Sequence, residues 1–431
     1  MPERIPLVGE SPRVTEHDNL RGCPLPPLAT TRHLFRVTDL SLLSIFALAV
    51  PWWLPPAVLM FRLRAGVSLE SVDDISPPVE SAPRVSIVLP ARNEVAHIAE
   101  CVRAIRSSTW PNLELIVVDD HSTDGTGDIA RSAAHDDSRI VVAAAPDLPE
   151  GWFGKQWACQ VGAAQASGKL LLFTDADTRH APDLVTRLVA MRAQRGAELI
   201  SVAGRQDLVT VWERAVMPLV FSMIMFRYGS TRALENATHA SDVIANGQCF
   251  MISRAGYDAV GRHEAVRQYV AEDVMMAQAV WRGGGRVSLV LGVEQLRTRM
   301  YDGLSSLVRG WRKNVYAGGR LAMRGPLGRA LYPLLLLTFP LASLMPFVLL
   351  AGAAVAWFTG GGLEPWMLWS ALASLGTLTT LAIANRFNGD PVLRALLAPL
   401  GAAVLLAICV QAIARGQQLE WKGREYSAGW R

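Results

Sequence analysis

Three times between residues 84 and 177 an apolar run stops abruptly at polar or acidic residues. VSIVLP leads into Asn93 and Glu94, LELIVV into Asp119 and Asp120, and LLLF into Asp175 and Asp177. Short, uninterrupted apolar runs read as strands buried on both faces, which is the signature of a parallel sheet. Helical patterns over 96–107, 126–134 and 157–166, with a further strand at RIVVAA, fill the intervals. Strand–helix alternation of this kind predicts an α/β domain with crossover helices. Open α/β sheets take their ligands at the carboxyl ends of the strands, so the polar residues named above share one candidate site.

The remaining apolar content is concentrated. Hydrophobic residues make up 51% of the 431-residue chain, and much of that share lies in four uncharged runs, 40–61, 331–358, 366–384 and 396–414. Each is long enough to span hydrocarbon, which places the chain in the membrane class. Arg62 and Arg64 directly after the first run favour the cytoplasm for the domain beyond it, although Arg32 and Arg36 before it blunt the bias. Pro51, Pro55 and Pro56 should kink that run. The run 331–358, with Pro340 and Pro346, reads equally as one tilted helix or as two short segments that turn back. Five scattered cysteines without CxxC spacing argue against a disulfide framework or a zinc site and suit a reducing compartment. A net charge of +4, with no Lys/Arg run interleaved with aromatics, fits a membrane surface better than nucleic acid.

The expected organisation is therefore a disordered tail (1–38), a transmembrane anchor (39–64) and an α/β domain (82–300). A basic interfacial segment (301–328), C-terminal transmembrane helices (329–415) and a tail (416–431) complete it. Residues 216–226 are too short to span and fit either an interfacial or a buried helix.

Asp175 and Asp177, separated by one small residue at a strand end, offer hard oxygens suited to Mg²⁺ or Mn²⁺. A bare DxD is otherwise an ordinary acidic turn. Ser122, Thr123 and Asp124 are N-cap types before a helix, and Gly125 permits a tight turn. Glu272 and Asp273 open a helical run, where acidic residues complement the dipole. His263, taken alone, is an ordinary structural histidine.

VSIVLPARNE, LELIVVDDHSTDGT and LLFTDAD, in this order, resemble the three strand-end motifs of the family 2 glycosyltransferases, inverting enzymes with a GT-A fold, whose nucleotide-sugar-binding sheet is mainly parallel. The likeness covers about 84–319. It implies that Pro90, Ala91, Asn93, Glu94, Asp119 and Asp120 line a nucleotide and that Asp175 and Asp177 hold a metal-bound diphosphate. GWFGKQWACQVGAA (151–164) is similar to the donor-side segment of lipid-directed members, with Lys155 near a phosphate and Gln160 where an Asn is common. The pair Glu272–Asp273 resembles the catalytic base motif, with Asp273 as base and Glu272 in support, and His263 would approach the acceptor. Around Trp311 the family's Q/RxxRW signature is degraded to Leu307-Val308-Arg309-Gly310-Trp311. Arg309, Trp311, Arg312 and Lys313 are expected on the acceptor or diphosphate side, or on a basic membrane-surface helix.

The plan resembles hopene-associated, carotenoid and ceramide glycosyltransferases. It implies transfer of a hexose from a nucleotide sugar, UDP-linked by preference, to a membrane lipid, with the catalytic domain facing the cytoplasm of a bacterial-type cell membrane. A processive polysaccharide synthase and a non-catalytic membrane scaffold that keeps the fold are the competing readings.

Overall fold

A computed structural model describes residues 39–74, 77–362, 364–415, 418–421 and 424–427; the expected tail 1–38 lies outside them. The strand-forming runs assemble one eight-stranded sheet of β1 (Val85–Ala91), β2 (Leu113–Asp119), β3 (Ile140–Ala144), β4 (Leu170–Thr174), β5 (Thr178–His180), β6 (Leu199–Gln206), β7 (Cys249–Ser253) and β8 (Val287–Thr298). The order is β3-β2-β1-β4-β7-β6-β8-β5. The four strands read from sequence form the parallel half. β7 then inserts antiparallel between β4 and β6, so the sheet is mixed and mostly parallel.

Alternate residues of each central strand serve different cores, which is why the runs are continuously apolar. Ile87, Leu89, Leu115 and Leu172 join one cluster; Val88, Leu171 and Phe173 join the other. Helices Ile98–Arg106 and Thr126–Ala134 cover the first face, and Gly154–Gln165 the second.

Among the described residues, four helices are long and apolar enough to cross a membrane: Leu42–Arg64, Gly325–Phe358, Pro365–Phe387 and Val392–Arg415. Large side chains such as Leu43, Phe61, Leu334 and Phe358 point outward from them, as a hydrocarbon solvent allows. Close packing between them uses small residues. Gly376 lies against the Trp52 carbonyl and Gly401 against the Ala215 carbonyl, and neither has room for a methyl group. Gly325–Phe358 is one 34-residue helix that runs through Pro333, Pro340 and Pro346, about 51 Å long by the usual rise, so the run 331–358 does not turn back on itself.

Helix Val211–Tyr228, opened by a Thr210–Glu213 capping box, buries Val216, Met217, Leu219 and Val220 among these apolar helices. Helix Leu304–Leu321 lies beside it and buries Leu307, Trp311 and Val315, spaced by four, while its basic residues occupy other faces. The turn after Pro365–Phe387 is tied back to the sheet. The Asn388 amide donates to the Gln206 carbonyl (2.9 Å) and accepts from the Gln206 N–H (3.0 Å). Residues Gln418–Trp421 and Arg424–Ser427 pair as a short antiparallel ladder.

Candidate functional site

The carboxyl ends of β1, β2 and β4 open into a cavity of about 1220 Å³. Pro90, Ala91, Asn93, Glu94 and Asp120 line one side of it, and Asp175 and Asp177 its floor. The loops after β1 and β2 are laced together, because the polar residues of DDHSTDGT bond across to the neighbouring loop. Asn93 Oδ1 accepts from the Thr123 N–H (2.9 Å), and the N–H groups of Glu94 and Val95 donate to Thr126 Oγ1 (2.8 Å) and Asp124 Oδ2 (3.1 Å). Gly125 caps the following helix at φ 88°, without a side-chain cap bond. Asn93 (φ 51°) and His121 (φ 55°) both hold left-handed conformations, which a web of this kind stabilises at a site.

Lys155, in the first turn of helix Gly154–Gln165, joins the two acidic groups. Its ammonium stands 2.7 Å from Asp175 Oδ1 and 2.8 Å from Glu272 Oε1. Burial works against its charge, but the two carboxylates outweigh it and hold the lysine well above the ordinary range. Burial likewise tends to raise Glu272; Lys155 overrides it and keeps Glu272 ionised, below the ordinary glutamate value. Asp273 takes the opposite course. Burial, then the adjacent Glu272 charge, push it up to about 7. Its Oδ2 accepts from the Gly247 N–H at 2.6 Å, an approach that a side chain at 247 would obstruct. Two neighbouring carboxylates thus differ in proton affinity, the arrangement expected where one is to exchange a proton near neutral pH. Lys313, from helix Leu304–Leu321, lines the same cavity, and burial lowers its proton affinity.

Residues 86–261 match the profile of Glycosyl transferase family 2. They form a glycosyl transferase family 2 domain. Two curated relatives extend the likeness. A 4,4'-diaponeurosporenoate glycosyltransferase from Staphylococcus haemolyticus is 24% identical over 56% of this chain and 63% of its own length. An undecaprenyl-phosphate 4-deoxy-4-formamido-L-arabinose transferase from Serratia proteamaculans is 32% identical over 35% of this chain and 45% of its own. The chain thus spans less than two thirds of either relative. Among solved structures, a mannosyltransferase from Pyrobaculum calidifontis, in complex with GDP-Man and Mn²⁺, shares the GT-A fold at a TM-score of 0.53 and 20% identity. That match covers 86% of this chain and 98% of the other.

Not every residue singled out in sequence faces the family 2 domain's cavity. Asp119 turns away from it, its Oδ1 accepting from the Ser122 N–H (3.1 Å) and its Oδ2 packed against Gly127. Gln160 lies farther along its helix and accepts from the Tyr257 hydroxyl (3.3 Å). His263 is buried beneath the site, bonded to the same hydroxyl (2.8 Å) and edge-on to Phe173; burial lowers it to about 3, so it is neutral. It does not line the cavity. Arg312 points off the cavity, whereas Arg309 and Trp311 line it, the Trp311 N–H donating to Met217 Sδ (3.1 Å).

The cavity also takes in groups the motifs did not mark: Arg92, Asn246, Gln248, Arg299 and Asn385. Of these, Arg92 was the most accessible to sequence reasoning, since it sits inside PARNE and donates to the Asp120 carbonyl (2.6 Å).

Proposed function

We propose that this protein is an inverting glycosyltransferase that moves a hexose from a nucleotide sugar, UDP-linked, to the hydroxyl or carboxyl of a membrane lipid. One observation carries the reading. The same cavity is lined both by the acidic strand ends and by apolar side chains, Leu59, Phe221, Leu335, Leu336 and Phe339, from three helices of the membrane-side bundle. A donor with a charged diphosphate and an acceptor with a hydrocarbon body would meet where those surfaces join, beside Asp273. The relatives' names, a carotenoid-acid glycosyltransferase and an undecaprenyl-phosphate transferase, support an acceptor of isoprenoid type. The degraded Trp311 signature disfavours a polymerising synthase.

In this proposal Asp273 accepts the proton of the acceptor hydroxyl as that oxygen attacks the anomeric carbon opposite the leaving nucleotide. Glu272, held ionised by Lys155, keeps the proton affinity of Asp273 high enough for the task. Pro90, Ala91, Asn93, Glu94 and Asp120 cradle the nucleotide, and Arg309 and Lys313 offer positive charge to its phosphates.

Asp175 and Asp177 are suited to a divalent cation, Mg²⁺ or Mn²⁺. Among the described residues no group of three His, Cys, Asp or Glu side chains is assembled to hold a metal. That fits a cation which takes its remaining ligands from diphosphate and water, as Mg²⁺ commonly does. Bound there, the cation would neutralise charge on the departing diphosphate. The catalytic domain would face the cytoplasm, in keeping with the positive flank of Arg62 and Arg64.

Comparison of membrane lipids by mass spectrometry, with and without the protein, tests the reading directly. A glycosylated lipid that vanishes in the Asp273→Asn strain supports it, and an unchanged lipid profile removes it.

A further inference from the structure

The cavity wall reached by helix Pro365–Phe387 contains buried amides with polar atoms that no other described residue satisfies. Asn385 is 1% exposed and Gln206 6%. Neither side-chain atom of Asn385, nor Oε1 of Gln206, has a hydrogen-bond partner among the described residues, and both residues line the cavity. Most other hydroxyls of this apolar helix are satisfied internally; the buried Ser374 Oγ is also unpartnered but does not line the cavity. Thr377, Thr379 and Thr380 donate to the carbonyls four residues back at 3.2, 2.8 and 3.0 Å. Asn385 makes no such bond. An unpaired amide buried in an apolar helix is destabilising, so a leucine would serve structure better.

The two amides connect to the reaction centre through a short run of contacts. Asn388, one turn beyond Asn385, grips the backbone of Gln206. The Gln206 Nε2 donates to Gln248 Oε1 (3.2 Å), and the Gln248 carbonyl accepts from the Asp175 N–H (3.2 Å) and the Thr174 hydroxyl (2.8 Å). Every side chain in that run, from Asn385 to Gln248, is a neutral amide. Amides both donate and accept, which complements a hydroxyl, and they bring no charge to hold a carboxylate or phosphate.

We propose that Asn385 and Gln206 form a subsite of the cavity that binds a neutral hydroxyl of the ligand lying there. The inference rests on the cavity being the place where donor and lipid meet. Such a hydroxyl comes either from the lipid or from the sugar of the donor.

The test uses full-length protein in nanodiscs and reads the ligand-induced rise in melting temperature. The lipid probes are farnesol and farnesene, which share a hydrocarbon body and differ in the hydroxyl; the donor probe is UDP-glucose with Mn²⁺. Wild type should bind farnesol about tenfold more tightly than farnesene, the worth of about one hydrogen bond. Asn385→Leu and Gln206→Met should abolish that preference while melting, without ligand, at or above the wild-type temperature. That last readout separates a binding role from a structural one.

Should the alcohol preference survive in both variants while UDP-glucose affinity drops about tenfold, the subsite holds a sugar hydroxyl and the proposal stands. Variants that keep both the alcohol preference and the donor affinity overturn it, as does a wild type that responds to neither farnesol nor UDP-glucose. A wild type stabilised by UDP-glucose but by neither lipid probe counts against the lipid acceptor and leaves the donor arm to decide the subsite.

Discussion

Asp273 and Glu272 are adjacent in sequence yet occupy opposite protonation regimes, and the difference is a matter of one lysine. Glu272 has the ammonium of Lys155 at 2.8 Å, whereas Asp273 has burial and the charge of Glu272. With Asp273 raised to about 7, the base form is lost as pH falls through that value. On the acid side, kcat/KM should therefore fall about tenfold per pH unit and level off above neutrality. Asp273→Asn should lower kcat by about 10²–10⁴ and abolish that limb, with nucleotide affinity by calorimetry unchanged. A variant that keeps wild-type turnover removes Asp273 from the chemistry.

Lys155→Met makes a different test, since it strands a buried carboxylate. The loss should be about 3 kcal/mol of stability at neutral pH. Because Glu272 is depressed in the folded wild type, its contribution is present above the ordinary glutamate value and lost below it. The gap in melting temperature between variant and wild type should accordingly narrow as pH falls through about 4.5.

At this scale the strand-end residues were legible in sequence because an apolar run ending in a carboxylate is a local pattern. Asn385 and Gln206 were not, since a lone amide carries no spacing signal and only the fold brings the two to one wall. Asp119, read at the site from its strand end as well as by resemblance, and His263 are held elsewhere in the structure by the turn at Ser122 and the Tyr257 hydroxyl.

Among the elements, the parallel half of the sheet came from continuous apolar runs, each read within a few residues of its bounds. The antiparallel entry of β7 did not, because strand order is decided by which edges meet after the helices have packed. Helix Val211–Tyr228 was ambiguous for a physical reason: its apolar stretch, 216–226, is too short to span and too apolar for water, and the membrane-side helices supply the surface that covers it. Its contact with helix Ala398–Arg415 depends on Gly401, which lies directly on the Ala215 carbonyl. Gly401→Val should cost about 1–3 kcal/mol through overpacking, and Gly376→Val, against Trp52, a similar amount. Gly352→Val supplies the control, as an added Cβ there meets no described atom within 4 Å beyond its own helix backbone and chain neighbours. Thermal unfolding in detergent should show the first two variants lowered and the third unchanged. Equal behaviour of all three would mean that these helices do not approach as closely as the glycines imply.

Across the whole molecule, the feature with functional weight is continuity: charged strand ends and apolar helices share one interior space. Either half alone has a simpler explanation, the acidic rim as a nucleotide site and the apolar helices as an anchor. Their junction calls for variants that separate the two ends. Asp177→Asn alters the rim, and Leu336→Trp, in the first turns of helix Gly325–Phe358, narrows the apolar arm. Asp177→Asn should weaken Mn²⁺-dependent nucleotide binding, measured by calorimetry, and EDTA should reproduce that loss in wild type. Leu336→Trp should leave this binding alone and raise KM for the lipid acceptor about tenfold, the worth of one or two methylene contacts in an apolar pocket.

The double variant then asks whether the arms act as one site. Distant, independent changes add within about 0.5 kcal/mol. Losses in kcat/KM that multiply would mean that each change acts only on its own ligand, whereas a departure beyond that amount would show the donor and acceptor ends to be coupled. A Leu336→Trp protein whose acceptor KM is unchanged, while it still binds nucleotide and transfers sugar, would show that the lipid reaches Asp273 by some route other than this wall.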